Sequence, residues 1–342
     1  MFAFQIHHLL KNILSLILIT LLFYFCSLSS DSDNDHNGDI PLDGRLRGAF
    51  YFNLLNPTQI IRYEFARDTF EVIVDQSKSP GKMNVSANHR YLSFHNPVNS
   101  IHFIDLVSGI ERIYTSSYQL LNDLSMNGDG ELLACPAIVE VDTMILLVYA
   151  DSFQKNVFDA WQYCGARHVL FSNSNYTLAW MSSRGLFVRN LTTTDILHFS
   201  ADLLIPDDFS PSARYLAAGG RIFSTWDGQL YPGKVSGRIK FIDDRSVLFR
   251  EDGLKVIKKA NLSGTEISDL YETRIQDALF CVSADGSFAA IMDKYESELT
   301  IVLLDLETRE ILRTIYYPLT SQALAGDFYW RYPALLTPPV GD

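Results

Sequence analysis

Phe209-Ser210-Pro211-Ser212-Ala213-Arg214-Tyr215-Leu216-Ala217 is the phrase from which the architecture of this chain follows. It recurs. Val282-Ser283-Ala284-Asp285-Gly286-Ser287-Phe288-Ala289-Ala290 repeats it, and Val85-Ser86-Ala87-Asn88-His89-Arg90-Tyr91-Leu92-Ser93 is a third copy. Looser copies run from Leu124-Ser125 to Ala134, from Phe171-Ser172 to Ala179, and from Phe241-Ile242-Asp243-Asp244 to Phe249. A phrase that returns at a period of about 40 residues marks one small unit stacked many times.

The residue types say what that unit is. Ser, Asn, Asp, Gly and Pro open each copy, and these either set the φ angle or hydrogen-bond their own backbone, so the copy opens on a turn. An apolar β-forming run follows, as in Phe288-Ala289-Ala290-Ile291-Met292, and then a second run such as Ile101-His102-Phe103-Ile104-Asp105-Leu106. A third run, Ile110-Glu111-Arg112-Ile113-Tyr114 or Ile311-Leu312-Arg313-Thr314-Ile315, closes the unit. Short, evenly spaced strands with turns between them predict an all-β array and not βαβ units.

A sheet of four short strands cannot bury both faces by itself. Repeated radially, each sheet packs on its neighbours and leaves only short, protected edges, which is a β-propeller. Ser86, Ser125, Ser172, Ser210, Asp243 and Ser283 mark the units between Lys82 and Pro318. The ends carry the rest of the argument. Residues from Arg47 to Val74 supply three strands with no inner strand before them, and the tail from Gly326 to Pro333 reads as an inner strand with nothing complete after it. Ring closure resolves both: the C-terminal strand completes the N-terminal sheet as a seventh blade. Roughly 290 residues over seven blades is about 42 each, within the usual range of about 40–45. Six and eight blades are the alternatives.

The turn-strand S-x-[DN]-G-x-[YF]-[LA]-A, followed by an apolar strand ending D-L-x-[TS]-G, resembles the repeats of TolB-type and related WD-like propellers. Ser283 to Ala290 carries the first element intact, and Asp105-Leu106-Val107-Ser108-Gly109 carries the second. The resemblance runs from about Arg47 to Pro339. It implies the fold; propellers host binding platforms and enzymes alike, so it implies no activity.

Residues 1–30 stand apart from the array. Ile13 to Leu28 is almost continuously apolar and an acidic stretch follows from Asp31, the order of a secretory signal or signal anchor. Cys26, at the end of that run and before a Ser/Asp-rich tether, resembles the lipid-modified cysteine of bacterial lipoproteins. The expected organisation is therefore a signal or anchor over 1–30, an acidic tether over 31–46 and a propeller over 47–342. The protein is expected to be exported, periplasmic or at the cell surface, touching a membrane only through its N-terminal segment. Within the tether, Asp33, Asp35, Asn37 and Asp39 alternate oxygen-bearing side chains in the manner of a calcium loop, with Gly38 at the sharp turn. The position that should hold a bidentate carboxylate is Gly44, so a solvated tether is the plainer reading, with Ca²⁺ the one cofactor to consider and otherwise none.

The net charge of −12, from 40 acidic and 28 basic residues, argues against nucleic acid as a partner. Catalytic motifs are absent. There is no G-x-S-x-G elbow, no H-E-x-x-H and no Asp box, and the histidines are scattered over separate units. Propeller enzymes do assemble sites from several blades around the axis, and acids at inner-strand starts, Asp123, Asp207, Asp277 and Asp327, are the candidates to meet at the channel mouth. The other candidate surface is the long segment from Asp151 to Arg167, with Phe158, Trp161 and Tyr163 as anchors for a protein, peptide or glycan; an extended outer strand or short helix packing on its own blade is the alternative. The reading favoured is a monomeric interaction platform without catalysis, with a lactonase-, lyase- or quinoprotein-like enzyme as the alternative. Cys135 and Cys281, in predicted strands, are expected as buried free thiols.

Overall fold

The computed structural model describes residues 46–331 apart from 56, 159–164, 175, 194–195, 201, 232, 234, 296–297 and 320–324. A unit boundary falls between Asp43 and Gly44. The expected signal, the tether, Cys26 and the Asp33–Asp39 loop all lie outside the described residues. Among the described residues, no helix is long and apolar enough to cross a membrane.

Seven antiparallel sheets follow one another along the chain. The first is the shared one. Its strands Ala49–Leu55, Thr58–Glu64 and Thr69–Val74 are joined on the inner side by Ala325–Arg331 from the C-terminus, with Phe50 opposite Trp330 and Tyr51 opposite Tyr329. Blades two to seven have the inner strands Met83–Val85, Ser125–Met126, His168–Phe171, Pro206–Phe209, Arg238–Phe241 and Leu279–Val282. Each inner strand packs on the next, and Leu279–Val282 packs on Ala325–Arg331, so the ring is closed. The expectation of a seven-bladed propeller completed by both termini is borne out.

The recurring phrase now has a structural account. In the copies beginning at Ser86, Ser210 and Ser283, the serine hydroxyl accepts the backbone N–H five residues on, from Tyr91, Tyr215 and Phe288. Asn127 does the same for Leu132 through Oδ1. The fourth residue of the turn is left-handed in every one of these copies: His89, Gly130, Ala213 and Gly286 have φ of 58°, 80°, 57° and 73°. That conformation is why the wider pattern has glycine there; His89 and Ala213 adopt it against a Cβ clash.

The core lies between the blades. Seven apolar clusters each join two neighbouring sheets, as the period-2 alternation of strand side chains requires. Phe50, Phe52 and Leu54 of the first blade face the seventh, while Ala49 and Tyr51 face the second. The interface between blades seven and one is rich in aromatic residues, with Phe50, Phe65 and Phe288 around the fully buried Trp330 and Phe328 against Phe50. Its indole Nε1–H donates to the Arg47 carbonyl at 2.9 Å.

Two blades depart from four regular strands. In blade five the sheet has three strands, and the fourth place is held by a single bridge between Phe223 and Leu230. In blade three the inner strand is broken into Gln119–Leu120 and Ser125–Met126, both paired with Leu132–Val139. Pro136 lies opposite the break, its carbonyl accepting the N–H of Leu121 at 2.8 Å. Having no N–H to give on that side, it cannot complete the ladder.

The segment from Asp151 to Arg167 is not one long loop. Lys155–Phe158 is the outer strand of blade three, with Phe158 in register with Ile145. Trp161 and Tyr163 lie outside the described residues. Cys135 and Cys281 are buried free thiols, as expected; burial pushes Cys281 up to about 12 and raises Cys135 as well, which keeps both protonated and inert.

Candidate functional site: the axial channel

The inner strands surround an open channel of about 850 Å³. Asp123, Asp207 and Asp327 line it and Asp277 does not. Asp277 sits on a turn before its strand with a fully exposed side chain, 3.9 Å from Arg250 Nη2. The expectation for Asp277 is therefore corrected. Its turn is held to blade seven itself, where Asp293 accepts the backbone N–H groups of Arg274 and Ile275, and this carries Asp277 away from the axis.

Asp123 occupies the break opposite Pro136 and is 3% exposed. Its carboxylate joins three blades: Lys82 of blade two pairs with Oδ1, and His168 Nδ1 of blade four lies 3.0 Å from Oδ2. The backbone N–H of Val169 also donates to Oδ2 at 3.3 Å. Burial alone would raise this carboxyl, but the bonds and charges of His168 and Lys82 outweigh it and hold it below the usual carboxylate range.

Blade five contributes two adjacent acids with different fates. A bulge between Pro206 and Asp208 lets both reach the channel. Asp208 accepts the N–H of Phe241 at 2.8 Å and lies 3.6 Å from Lys240 Nζ. Lys240 Nζ donates to the Asp207 carbonyl at 3.0 Å. The Asp207 carboxyl is pushed up to about 6 by burial, and the neighbouring Asp208 adds to this, while Lys240 and Arg238 oppose it.

The C-terminal strand sends alternate residues to blade two. Asp327 Oδ2 accepts the N–H of Met83 at 3.1 Å, the Tyr329 hydroxyl donates to the Met83 carbonyl at 3.3 Å, and Arg331 Nε donates to the Val85 carbonyl at 3.1 Å. Burial raises the Asp327 carboxyl against the pull of Lys82 and Arg238. Asp123, Asp208 and Asp327 thus share a structural task, each accepting a backbone N–H from the inner strand of the following blade.

The channel also holds four cations that the search for acids passed over: Lys82, Arg238, Lys240 and Arg331. The signal was present as Arg238-Ile239-Lys240, basic residues at alternate positions of an inner strand, and as Arg331 at the end of another, a pattern that also describes a solvent face. No group of three or more metal-ligating side chains occurs among the described residues.

Fold and site together define a seven-bladed β-propeller with a charged axial channel. Solved structures similar to it include TolB from Acinetobacter baumannii, at 11% identity over 83% of this chain and 67% of that one, with a TM-score of 0.55. The oligogalacturonate lyase of Vibrio parahaemolyticus is similar at 9% identity over 74% and 85%, TM-score 0.57. The dihydro-heme d1 dehydrogenase NirN is similar at 13% identity over 84% and 75%, TM-score 0.55. At such identities the likeness is one of fold. No family model matches the chain, and no curated protein matches it.

Proposed function

We propose that this protein is an exported propeller that acts as a binding platform without catalysis, and that its ligand enters the axial channel. One observation carries the reading: an open channel of about 850 Å³ into which blades one to six send charged or ionisable side chains. The apolar run before the acidic segment supports export, and the fold likeness to TolB is in keeping with a periplasmic location. Cys26 would be the lipid-bearing residue. Intact-mass analysis of the membrane fraction tests the last point, since an N-terminus still carrying Met1 rules the lipoprotein out.

Site-specific photo-crosslinking tests the platform. A photoreactive phenylalanine replaces Leu203 at the channel mouth or Val141, which is 92% exposed at a hairpin tip on blade three. Adducts from position 203 and none from 141 in the native host are the expected result. Adducts from 141 alone would move the binding surface to the outer rim.

A second reading, an enzyme working in the channel, is favoured by the His168–Asp123 pair, in which a part-exposed imidazole is held by a buried carboxylate. A divalent ion purified in stoichiometric amount with the full chain, and lost with His168→Ala, would favour that reading.

A further inference from the structure

Arg238 begins the inner strand of blade six, and its placement is tightly built. Gly237 before it has φ +75°, and a Cβ there would lie 2.1 Å from the Arg250 carbonyl oxygen. A Cβ on Gly220 of blade five would lie 2.6 Å from the Gly237 nitrogen. The two backbones therefore touch where only glycine fits, and this sets Arg238 at the channel mouth.

Among the four channel cations, its guanidinium is the one without a partner among the described residues. Lys82 is paired with Asp123, Lys240 with Asp208, and Arg331 donates to two backbone carbonyls. Among the described residues, the Arg238 guanidinium has no hydrogen bond or ion pair, although Asp207 and Asp327 lie close enough to feel its charge. A planar fork of N–H donors without acceptors, part-buried in a concave site, is suited to a bidentate oxyanion. Beside it at the mouth, Leu203 and Ile205 are 61% and 46% exposed, two large apolar side chains on the segment that leads into blade five.

We propose that the channel mouth binds the carboxylate of an organic acid bearing an apolar group, with Arg238 gripping the carboxylate and Leu203 and Ile205 receiving the apolar group. The assignment rests on the platform reading and names its ligand class. The surrounding acids decide between oxyanions. A phosphate dianion would meet Asp207, Asp252 and Asp327 in the same cavity, with one unpaired cation to offset them. A carboxylate brings a single charge for that single guanidinium, where a phosphate dianion would bring two. The same group could reach the channel as the C-terminus of a peptide ending in a large apolar residue or as a free apolar acid.

The test titrates the full chain with acetyl-Ala-Leu carrying a free carboxylate, with its C-terminal amide, with 4-methylpentanoate and with inorganic phosphate. The peptide acid or 4-methylpentanoate is expected to bind, and the amide and phosphate are not. Binding of the peptide acid alone assigns the source as a peptide end; binding of both assigns the apolar acid group itself. Arg238→Gln should weaken binding about ten-fold or more, and Arg238→Lys less, because the charge stays while the fork is lost. Arg245→Gln, on an exposed turn at the far end of the same strand pair, should bind as the parent does. An unchanged unfolding midpoint for Arg238→Gln shows that the loss is not misfolding. Failure of both acids to bind at millimolar concentration, equal binding of the amide, or full binding by Arg238→Gln each overturns the assignment. If crosslinks at position 203 persist while these fail, the platform stands and only the ligand class falls.

Discussion

Asp327 accepts a hydrogen bond from the backbone N–H of Met83 at 3.1 Å, so the last described strand of the chain is tied to the first strand of the second blade. The same strand is held on its other side by Asn53, whose Oδ1 accepts the Asp327 N–H and whose Nδ2 donates to the Gly81 carbonyl at 3.2 Å. Ring closure is thus more than strand pairing. Asp327→Ala should leave the Met83 N–H buried and unpaired, at a cost of about 1–3 kcal/mol. Asp327→Asn keeps an acceptor at Oδ1 and should cost less. Urea midpoints of the two variants, with amide exchange at Met83, check this; equal losses would argue that the charge and not the acceptor matters.

Trp330 is fully buried between blades seven and one and is the largest side chain on the closing strand. Trp330→Ala should therefore destabilise the whole ring by about 3–5 kcal/mol. A cooperative transition shifted as a unit is expected in thermal unfolding followed by both far-UV dichroism and tryptophan fluorescence. Separate transitions by the two probes would mean that blade one opens independently.

Ala213 and Gly286 occupy the same place in two copies of the turn, at φ 57° and 73°. Ala213→Gly should relieve the left-handed strain and, even after the added freedom of the unfolded chain, stabilise by up to about 1 kcal/mol. Gly286→Ala should do the reverse and more, because its Cβ would also meet the Ile242 carbonyl oxygen at 2.8 Å. Opposite signs in denaturant midpoints are the check.

Asp207 gives a pH dependence of known sign. Its folded value is pushed up to about 6 by burial, above an unfolded value of 3.8. Between those two values the folded protein holds a proton that the unfolded chain has lost, so this group's contribution to stability falls as pH rises through that window. Above about pH 6 the full penalty applies, on the order of 3 kcal/mol. Asp207→Asn should accordingly be more stable than the parent at pH 8, with the advantage shrinking through pH 5 and gone below pH 4. A difference independent of pH would show that Asp207 is an ordinary surface carboxylate.

Much of the fold was legible because turns are chemically explicit. Ser86, Ser210 and Ser283 announce themselves by type, and the unmatched strands at the two ends could be joined in only a few ways. The site was legible only in part. Asp123, Asp207, Asp277 and Asp327 look alike in sequence, yet three line the channel and Asp277 does not, because its turn is held by Asp293 across a hairpin that no local pattern reveals. Lys155–Phe158 stayed open between loop and outer strand because four residues carry too little alternation to decide. Arg238 was missed for a different reason: a cation is distinctive only when its neighbours fail to pair with it, and pairing is a property of the folded ring.

Ligand bound in the channel should be gripped there by Arg238. A crystal structure of the full chain grown with the acetyl-Ala-Leu acid tests it most directly. Density is expected for the carboxylate within hydrogen-bond distance of the Arg238 guanidinium and for the leucine side chain against Leu203 and Ile205. Density for the peptide on the outer blades, or in the channel with its carboxylate turned away from Arg238, would contradict it.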